Sequence, residues 1–331
     1  YKNSLYFDWF IKEEWSNKHP ECKSKITHNG KGFNLRQKNT EKCKGYTIKN
    51  GWRVTTDQPL IAKSNIFIYG GSTVQNHEVP NQYTIASYLQ RYINMEDLSY
   101  RVNNRGFTSV VTSQQLEFLQ KDQVNENDIV IFYDGGNNQW QGVVNADPKG
   151  TIIGSNRKLL PMKVLKDNLS KLQAYKLLKQ LKNKNNNYCN LIQDETLKKL
   201  ANKAFDFYKR DLNYAKKYTK KRNAKFLHFM QPHLFSSYEN ARSKYEEILI
   251  RSKNIIPKCT ERYLSLSSSV FSKRHNELNT NGIYSFDISK MFNKKDPRRP
   301  KGEHFLDWIH VTENGNQAIA KEIFKKIKTI K

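Results

Sequence analysis

A serine at the carboxyl end of an apolar run is the first residue in this chain whose position could carry chemistry. In NIFIYGGSTVQ, residues 65–75, four large apolar residues are followed by Gly70, Gly71 and Ser72. The run has the length of a buried strand, the glycines let the backbone turn, and a helical pattern starts within about ten residues. Ser72 therefore falls at a sheet edge, where open α/β sheets collect their ligands. Gly-Gly-Ser is also an ordinary turn between strand and helix, so a nucleophile needs a base elsewhere. HFLDWIHVTENG, residues 304–315, offers one: Asp307 and His310 stand three apart, and one short turn can aim both at one place. A histidine within reach can take the serine's proton, and an aspartate behind it fixes the tautomer and stabilises the imidazolium.

Two further stretches supply hydrogen-bond donors. RVNNRGFTS, residues 101–109, places Asn104 and Gly106 in a loop, and FYDGGNNQW, residues 132–140, follows the most apolar run and carries Asn137. Backbone amides or an asparagine amide at the same edge as Ser72 are what an oxyanion hole requires. Gln231 and His233, after the run AKFLHFM, are candidate substrate contacts or simply a polar loop ended by Pro232. Arg105 can face an anionic substrate or solvent, and Trp140 and Trp308 can stack on sugar faces or pack a core. His77, Glu78 and His304 lie near the motifs with nothing in the sequence to assign them a role, and His228 reads as a core histidine.

In order and spacing, these four stretches resemble the SGNH hydrolases, also called GDSL-type esterases. The resemblance runs over Gly70-Gly71-Ser72-Thr73, then Gly106, then Gly135-Gly136-Asn137-Asn138, then Asp307-Trp308-Ile309-His310. It covers residues 65–140 and 224–327. Gly71 stands where the name-giving sequence has Asp, as in a branch with a Gly-Gly-Ser-Thr block, and Asn138 stands where the third block usually ends in Asp. The resemblance implies a three-layer α/β/α sandwich around a parallel, flavodoxin-like sheet of about five strands. It also implies a Ser72, His310, Asp307 triad, an oxyanion hole from the amides of Ser72 and Gly106 and the side chain of Asn137, and no metal or organic cofactor. The activity to expect is carboxylic-ester hydrolysis, with O-deacylation of a cell-surface or extracellular glycan as the particular case. Acyl transfer onto a glycan by the same triad, and a catalytically silent binder of an anionic glycan, are the alternatives.

The elements that must position these residues follow from hydrophobic periodicity. From residue 65, short apolar runs alternate with helical patterns: NIFIYG, then Ile85, Tyr88, Leu89, Tyr92 and Ile93, then DIVIFYDGG, which implies βαβ units and a parallel sheet. AKFLHFMQP, residues 224–232, is a further inner strand, and IYSFDIS, residues 283–289, a weaker one. The last helix begins at Thr312 as N-cap and buries Ala320, Ile323, Phe324 and Ile327. Residues 1–60, opened by the aromatics Tyr6, Phe7, Trp9, Phe10 and Trp15, form an N-terminal appendage, and 61–331 the main domain. Within it, 157–222 reads as a Lys-rich helical insertion of two amphipathic helices, one through Leu172, Tyr175, Leu177, Leu178 and Leu181, the other through Leu197, Leu200, Ala204 and Phe207.

With 331 residues, 37% of them hydrophobic, the chain can fill a core, and 57 basic against 31 acidic residues leave a net charge of +26. Such a surface favours anionic partners, including an anionic cell surface. Its lysines are spread through every segment without a compact basic and aromatic patch, so nucleic acid is not the expected partner. Four cysteines, Cys22, Cys43, Cys189 and Cys259, lack Cys-x-x-Cys spacing, which argues against zinc. A Cys22–Cys43 bridge would fasten the polar loop between them and leave Cys189 and Cys259 as a second pair. Three connectivities are open, as are four free thiols. No stretch reaches the ~18 apolar residues of a membrane span. The chain starts at Tyr1, and together with the cysteines this leads to the expectation of an exported protein trimmed of a signal or anchor.

Overall fold

The most apolar stretch, IVIFYD, is the centre of the sheet. A computed structural model describes residues 26–28, 35–37, 39, 45–144, 193–236, 242–251 and 258–330. The main sheet has five parallel strands: β1 (Ser64–Gly70), β2 (Tyr100–Gly106), β3 (Ile129–Asp134), β4 (Lys225–Met230) and β5 (Tyr284–Asp287), in the spatial order β2-β1-β3-β4-β5. This is the flavodoxin-like winding. Every residue of β3 is buried, as a central strand covered on both faces must be. The edge strand β2 instead alternates, burying Val102, Asn104 and Gly106 and turning Arg101, Asn103 and Arg105 the other way. Asn104 and Gly106, read above as a loop, are thus the end of a strand.

Side-chain alternation along β1 sorts the core into two halves. Ile66 and Ile68, with Ile129, Ile131, Leu227 and Phe229, pack against α2 (Ile85–Met95) and α7 (Glu313–Thr329). Phe67 and Tyr69, with Val130, Phe132 and Phe226, pack on the other side against α3 (Thr112–Lys121), α5 (Asp194–Lys220) and α6 (Lys258–Arg274). The result is three layers, α/β/α. Thr84 and Thr312 cap α2 and α7 with their hydroxyls, accepting from the amides of Ser87 at 3.2 Å and Gly315 at 3.3 Å.

Two expectations change. Residues 194–220 form a crossover helix that carries the chain from β3 to β4 under the second core half, so this part of the expected insertion is integral to the sheet. Its buried stripe runs through Leu197, Leu200, Ala204, Phe205, Tyr208 and Leu212; Phe207, expected on that stripe, is only partly buried. The first expected helix, around Leu172 to Leu181, lies outside the described residues, as do the N-terminal aromatics and Cys22, Cys43 and Cys189, and with them the expected pairings. Of the appendage, Ile26–His28 pairs antiparallel with Leu35–Gln37, and Ile48–Lys49 with Trp52–Arg53. Among the described residues no helix is long and apolar enough to cross a membrane.

Candidate active site

Four loops meet at the carboxyl edge of the sheet, and each is held by its own sequence. After β1 the chain turns through Gly70 and Gly71 into the short helix α1 (Ser72–Gln75). This helix lies directly on the end of β2: a β-carbon on Gly106 would come within 2.2 Å of the Gln75 nitrogen. Asn104 braces the contact, its Nδ2 donating to the Val74 carbonyl at 2.8 Å while its Oδ1 accepts the Gly106 N–H at 2.9 Å. The Gly106 amide, expected to face an ester oxygen, is therefore occupied by a neighbouring side chain. After β3 comes α4 (Gly136–Val144), with Asn137 at its start; one hydrogen of the Asn137 amide goes to the Val110 carbonyl at 2.9 Å, which leaves the other free among the described residues.

The fourth loop is closed on itself. Phe305 bridges Val311, the Leu306 amide donates to the His310 carbonyl at 2.8 Å, and the Thr312 amide to that of His304 at 2.9 Å. Inside it, Asp307 Oδ1 accepts the backbone N–H of Ile309 at 2.8 Å and of His310 at 2.7 Å, the local pattern by which aspartate fixes a turn. Asp307 Oδ2 is then left to His310 Nδ1 at 2.6 Å, and His310 Nε2 meets Ser72 Oγ at 2.7 Å. Nδ1 is the protonated nitrogen beside a carboxylate, which leaves Nε2 to accept from the serine hydroxyl.

The electrostatics are set by burial working against close charges. Burial would raise the Asp307 carboxyl, yet the charge and hydrogen bond of His310 and the two backbone N–H groups hold it below the ordinary carboxylate range. Burial likewise works to lower His310; the carboxylates of Glu78 and Asp307, with the Asp307 hydrogen bond, overcome it and raise the imidazole to about 9. Glu78, noted in the sequence only for lying near the nucleophile motif, lies with Oε1 3.5 Å from His310 Nε2.

Other residues named from the sequence are placed elsewhere. Gln231 is buried and accepts from Thr73 Oγ1 at 3.0 Å, tying the nucleophile loop to the end of β4. His233 is buried with Nε2 against Gln139 Oε1 at 2.8 Å. Both are buried and each makes a side-chain hydrogen bond beneath the loops. Arg105 projects from the opposite face of β2 to Asn104, forks onto Asp122 at 2.9 to 3.0 Å and lies over Trp52 and Phe67. His304 stacks on Phe292 and bonds the Pro300 carbonyl, and His77 stacks on Tyr46. His228 is a core histidine, between Tyr208 and Ser285. Trp140 and Trp308, flanking Asn137 and His310 in sequence, are partly exposed with ring centroids 6.0 Å apart. Among the described residues no group of His, Cys, Asp and Glu is arranged to hold a metal ion.

No family model matches the chain, and no curated protein matches it. The fold is similar to that of solved esterases. An acetyl xylan esterase, AlAXEase, aligns over 80% of this chain and 99% of its own at 12% identity and a TM-score of 0.45. A member of the lipolytic G-D-S-L family from Veillonella parvula aligns over 79% of this chain and 97% of its own at 9% identity and a TM-score of 0.43. Axe2, an acetylxylan esterase from Geobacillus stearothermophilus, aligns over 81% and 95% at 12% identity and a TM-score of 0.39. At identities and scores this low, the reading of the site rests on the geometry of this chain alone.

Proposed function

We propose that the protein is a serine esterase of the SGNH type, with Ser72 as nucleophile, His310 as general base and acid, and Asp307 as the residue that orients and charges the imidazole. The observation that carries the reading is the continuous hydrogen-bonded line Asp307–His310–Ser72 beside the free amide hydrogen of Asn137. In the forward step the Ser72 Oγ–H bond breaks, its proton goes to Nε2, and Oγ bonds the ester carbonyl carbon. The carbonyl oxygen becomes an oxyanion facing the Asn137 amide and the Ser72 N–H, which has no intrahelical acceptor at the start of α1. Nε2–H then protonates the departing alcohol, and water repeats the sequence on the acyl-enzyme. With the Gly106 N–H taken by Asn104, the hole has two donors in place of the expected three.

The finer reading is removal of an O-acetyl group from a cell-surface or extracellular glycan. Its support is the partly exposed Trp140–Trp308 pair, which can stack on a sugar face, and the net charge of +26, which favours an anionic surface. The test is release of acetate from a small activated acetyl ester and then from acetylated polysaccharides, by wild type, Ser72→Ala and His310→Ala, each checked for folding. Turnover by wild type and a fall of about 10³-fold or more in both variants is the expected result. Product that partitions to an added sugar hydroxyl in preference to water would reassign the enzyme to acyl transfer. Wild-type rates no higher than those of both variants on every ester would overturn the reading.

A further inference from the structure

His310 has a second acidic neighbour that the triad does not use. Glu78 is only 4% exposed, its Oε1 lies 3.5 Å from the same Nε2 that meets Ser72 Oγ, and its Oε2 has no hydrogen-bond partner among the described residues. A buried carboxylate with an idle oxygen is costly, so the fold must hold it in place from elsewhere. Arg53 does so. From the N-terminal hairpin, this buried guanidinium donates to the carbonyls of Gln75, Asn76 and Val79 at 2.5 to 3.2 Å, gripping the backbone on both sides of Glu78. Asn76, in the left-handed region at φ 51°, makes the turn that brings Glu78 back under the imidazole.

From this geometry we infer that Glu78 is a second carboxylate partner of His310, a positioning residue whose charge stabilises the imidazolium once the imidazole has taken the Ser72 proton. Ser72 and Glu78 address one nitrogen in opposite protonation states. Neutral Nε2 accepts from the Ser72 hydroxyl; protonated, the ring carries a positive charge with Glu78 Oε1 3.5 Å from Nε2, an ion-pair distance. The imidazolium is thus held between Asp307 on Nδ1 and Glu78 on Nε2, and Glu78 sets the pH at which the serine is activated. The inference rests on the roles given above to Ser72 and His310.

The sign follows from the charged groups around the imidazole. Asp307 and Glu78 favour its proton, and burial opposes it. Arg53 acts on Glu78, whose carboxyl is held above the ordinary carboxylate range by burial and the Asp307 charge, against the lowering by the charges of His310 and Arg53. His77, next in the chain, is pushed down to about 3 by burial and then by Arg53 and His310, so it stays neutral at ordinary pH. A protonated His310 cannot act as base, so kcat/KM rises with pH as the imidazole loses its proton.

Glu78→Gln keeps the shape and removes the charge. The experiment is the pH profile of kcat/KM on the small acetyl ester for wild type and Glu78→Gln, with an NMR titration of His310 in both proteins, its signal assigned by its absence in His310→Ala. The acidic limb and the His310 midpoint are expected to fall together by about one pH unit or more. The melting temperature should be unchanged or higher, since a buried charge is gone. A limb and a midpoint that both stay put would overturn the inference, and a lowered melting temperature beside them would mark Glu78 as structural. Should wild type turn over no ester, the functional reading fails alone, because the NMR midpoint still reports whether Glu78 acts on His310.

Discussion

A β-carbon on Gly71 would lie 2.6 Å from Nδ2 of Asn137, the amide that the proposed mechanism aims at the oxyanion. The space beside the nucleophile is filled by the asparagine amide, so a side chain at 71 fits only if that amide moves. Because the clashing atom is the tip of a side chain, Gly71→Ala should displace Asn137 and leave the fold intact. The expected result is a loss of about 10²-fold in kcat with a melting temperature close to wild type. A variant as active as wild type would show that Asn137 is not a donor to the transition state.

Asn138, the other departure from the family pattern, belongs to a shared hydrogen bond. Thr112 Oγ1 lies 2.9 Å from Asp134 Oδ2 and 3.0 Å from Asn138 Oδ1, and its single hydrogen can serve only one of them. Turning the Asn138 amide to present its NH2 satisfies all three groups. Aspartate at 138 would set two carboxylates on one hydroxyl, raising the proton affinity of one of them. Asn138→Asp should therefore cost about 1–2 kcal/mol at pH 7, and the deficit should shrink as pH falls through that raised pKa. Urea unfolding at pH 7 and pH 5 measures it; a deficit that does not shrink counts against the shared-hydroxyl account.

The parallel sheet and the convergence of Ser72, Asp307 and His310 were legible because they depend on local signals: apolar runs ended by glycines, a Thr312 cap, and a three-residue spacing. What the sequence hid depends on partners distant in the chain. The run YRVNNRG reads as polar, yet it is an edge strand whose buried face is Val102, Asn104 and Gly106, and only that placement shows that the Gly106 amide is taken. Arg105, Gln231 and His233 lie close to the motifs in sequence, but strand alternation and loop burial turn them to Asp122, Thr73 and Gln139. Glu78 gave no signal beyond its nearness to the nucleophile motif, since its meaning comes from a histidine at the other end of the chain.

The N-terminal hairpin is fastened to the site by one side chain. Arg53 is 2% exposed, lies under the Tyr46 ring at 4.1 Å and donates five hydrogen bonds: one to the Asn81 side chain and the rest to the backbone of Gly45, Gln75, Asn76 and Val79. Burial lowers its guanidinium to about 10, still charged at neutral pH. Arg53→Met would leave several buried carbonyls without donors, each costing about 1–3 kcal/mol. The variant should lose about 3 kcal/mol or more in urea unfolding and most of its activity. Arg53→Lys, with fewer donors and no planar fork, should recover only part of either. Unchanged stability in Arg53→Met would mean the hairpin is not what holds the nucleophile loop.

Acid should unfold this protein through its histidines. His233, His275 and His304 are buried, and burial is the leading cause that lowers them to about 3, 4 and 4. Among the described residues, His233 and His304 each have an Nδ1 without a hydrogen-bond partner, so a second proton on either ring would have no acceptor there. In the unfolded chain the same rings take a proton at about 6.5. Between that value and the folded ones the unfolded state binds more protons, so stability falls as pH falls. The stability these groups contribute is complete above about 6.5 and is lost progressively toward pH 3 to 4, at about 1.4 kcal/mol per pH unit for each histidine. Urea midpoints measured from pH 6.5 down to pH 4.5, below the window in which the raised His310 adds stability as pH falls, should therefore drop steeply. Replacing His304 by Gln, which keeps a donor toward Pro300 but cannot ionise, should flatten the slope by about one histidine's share. An unaltered slope in that variant would place the acid lability elsewhere.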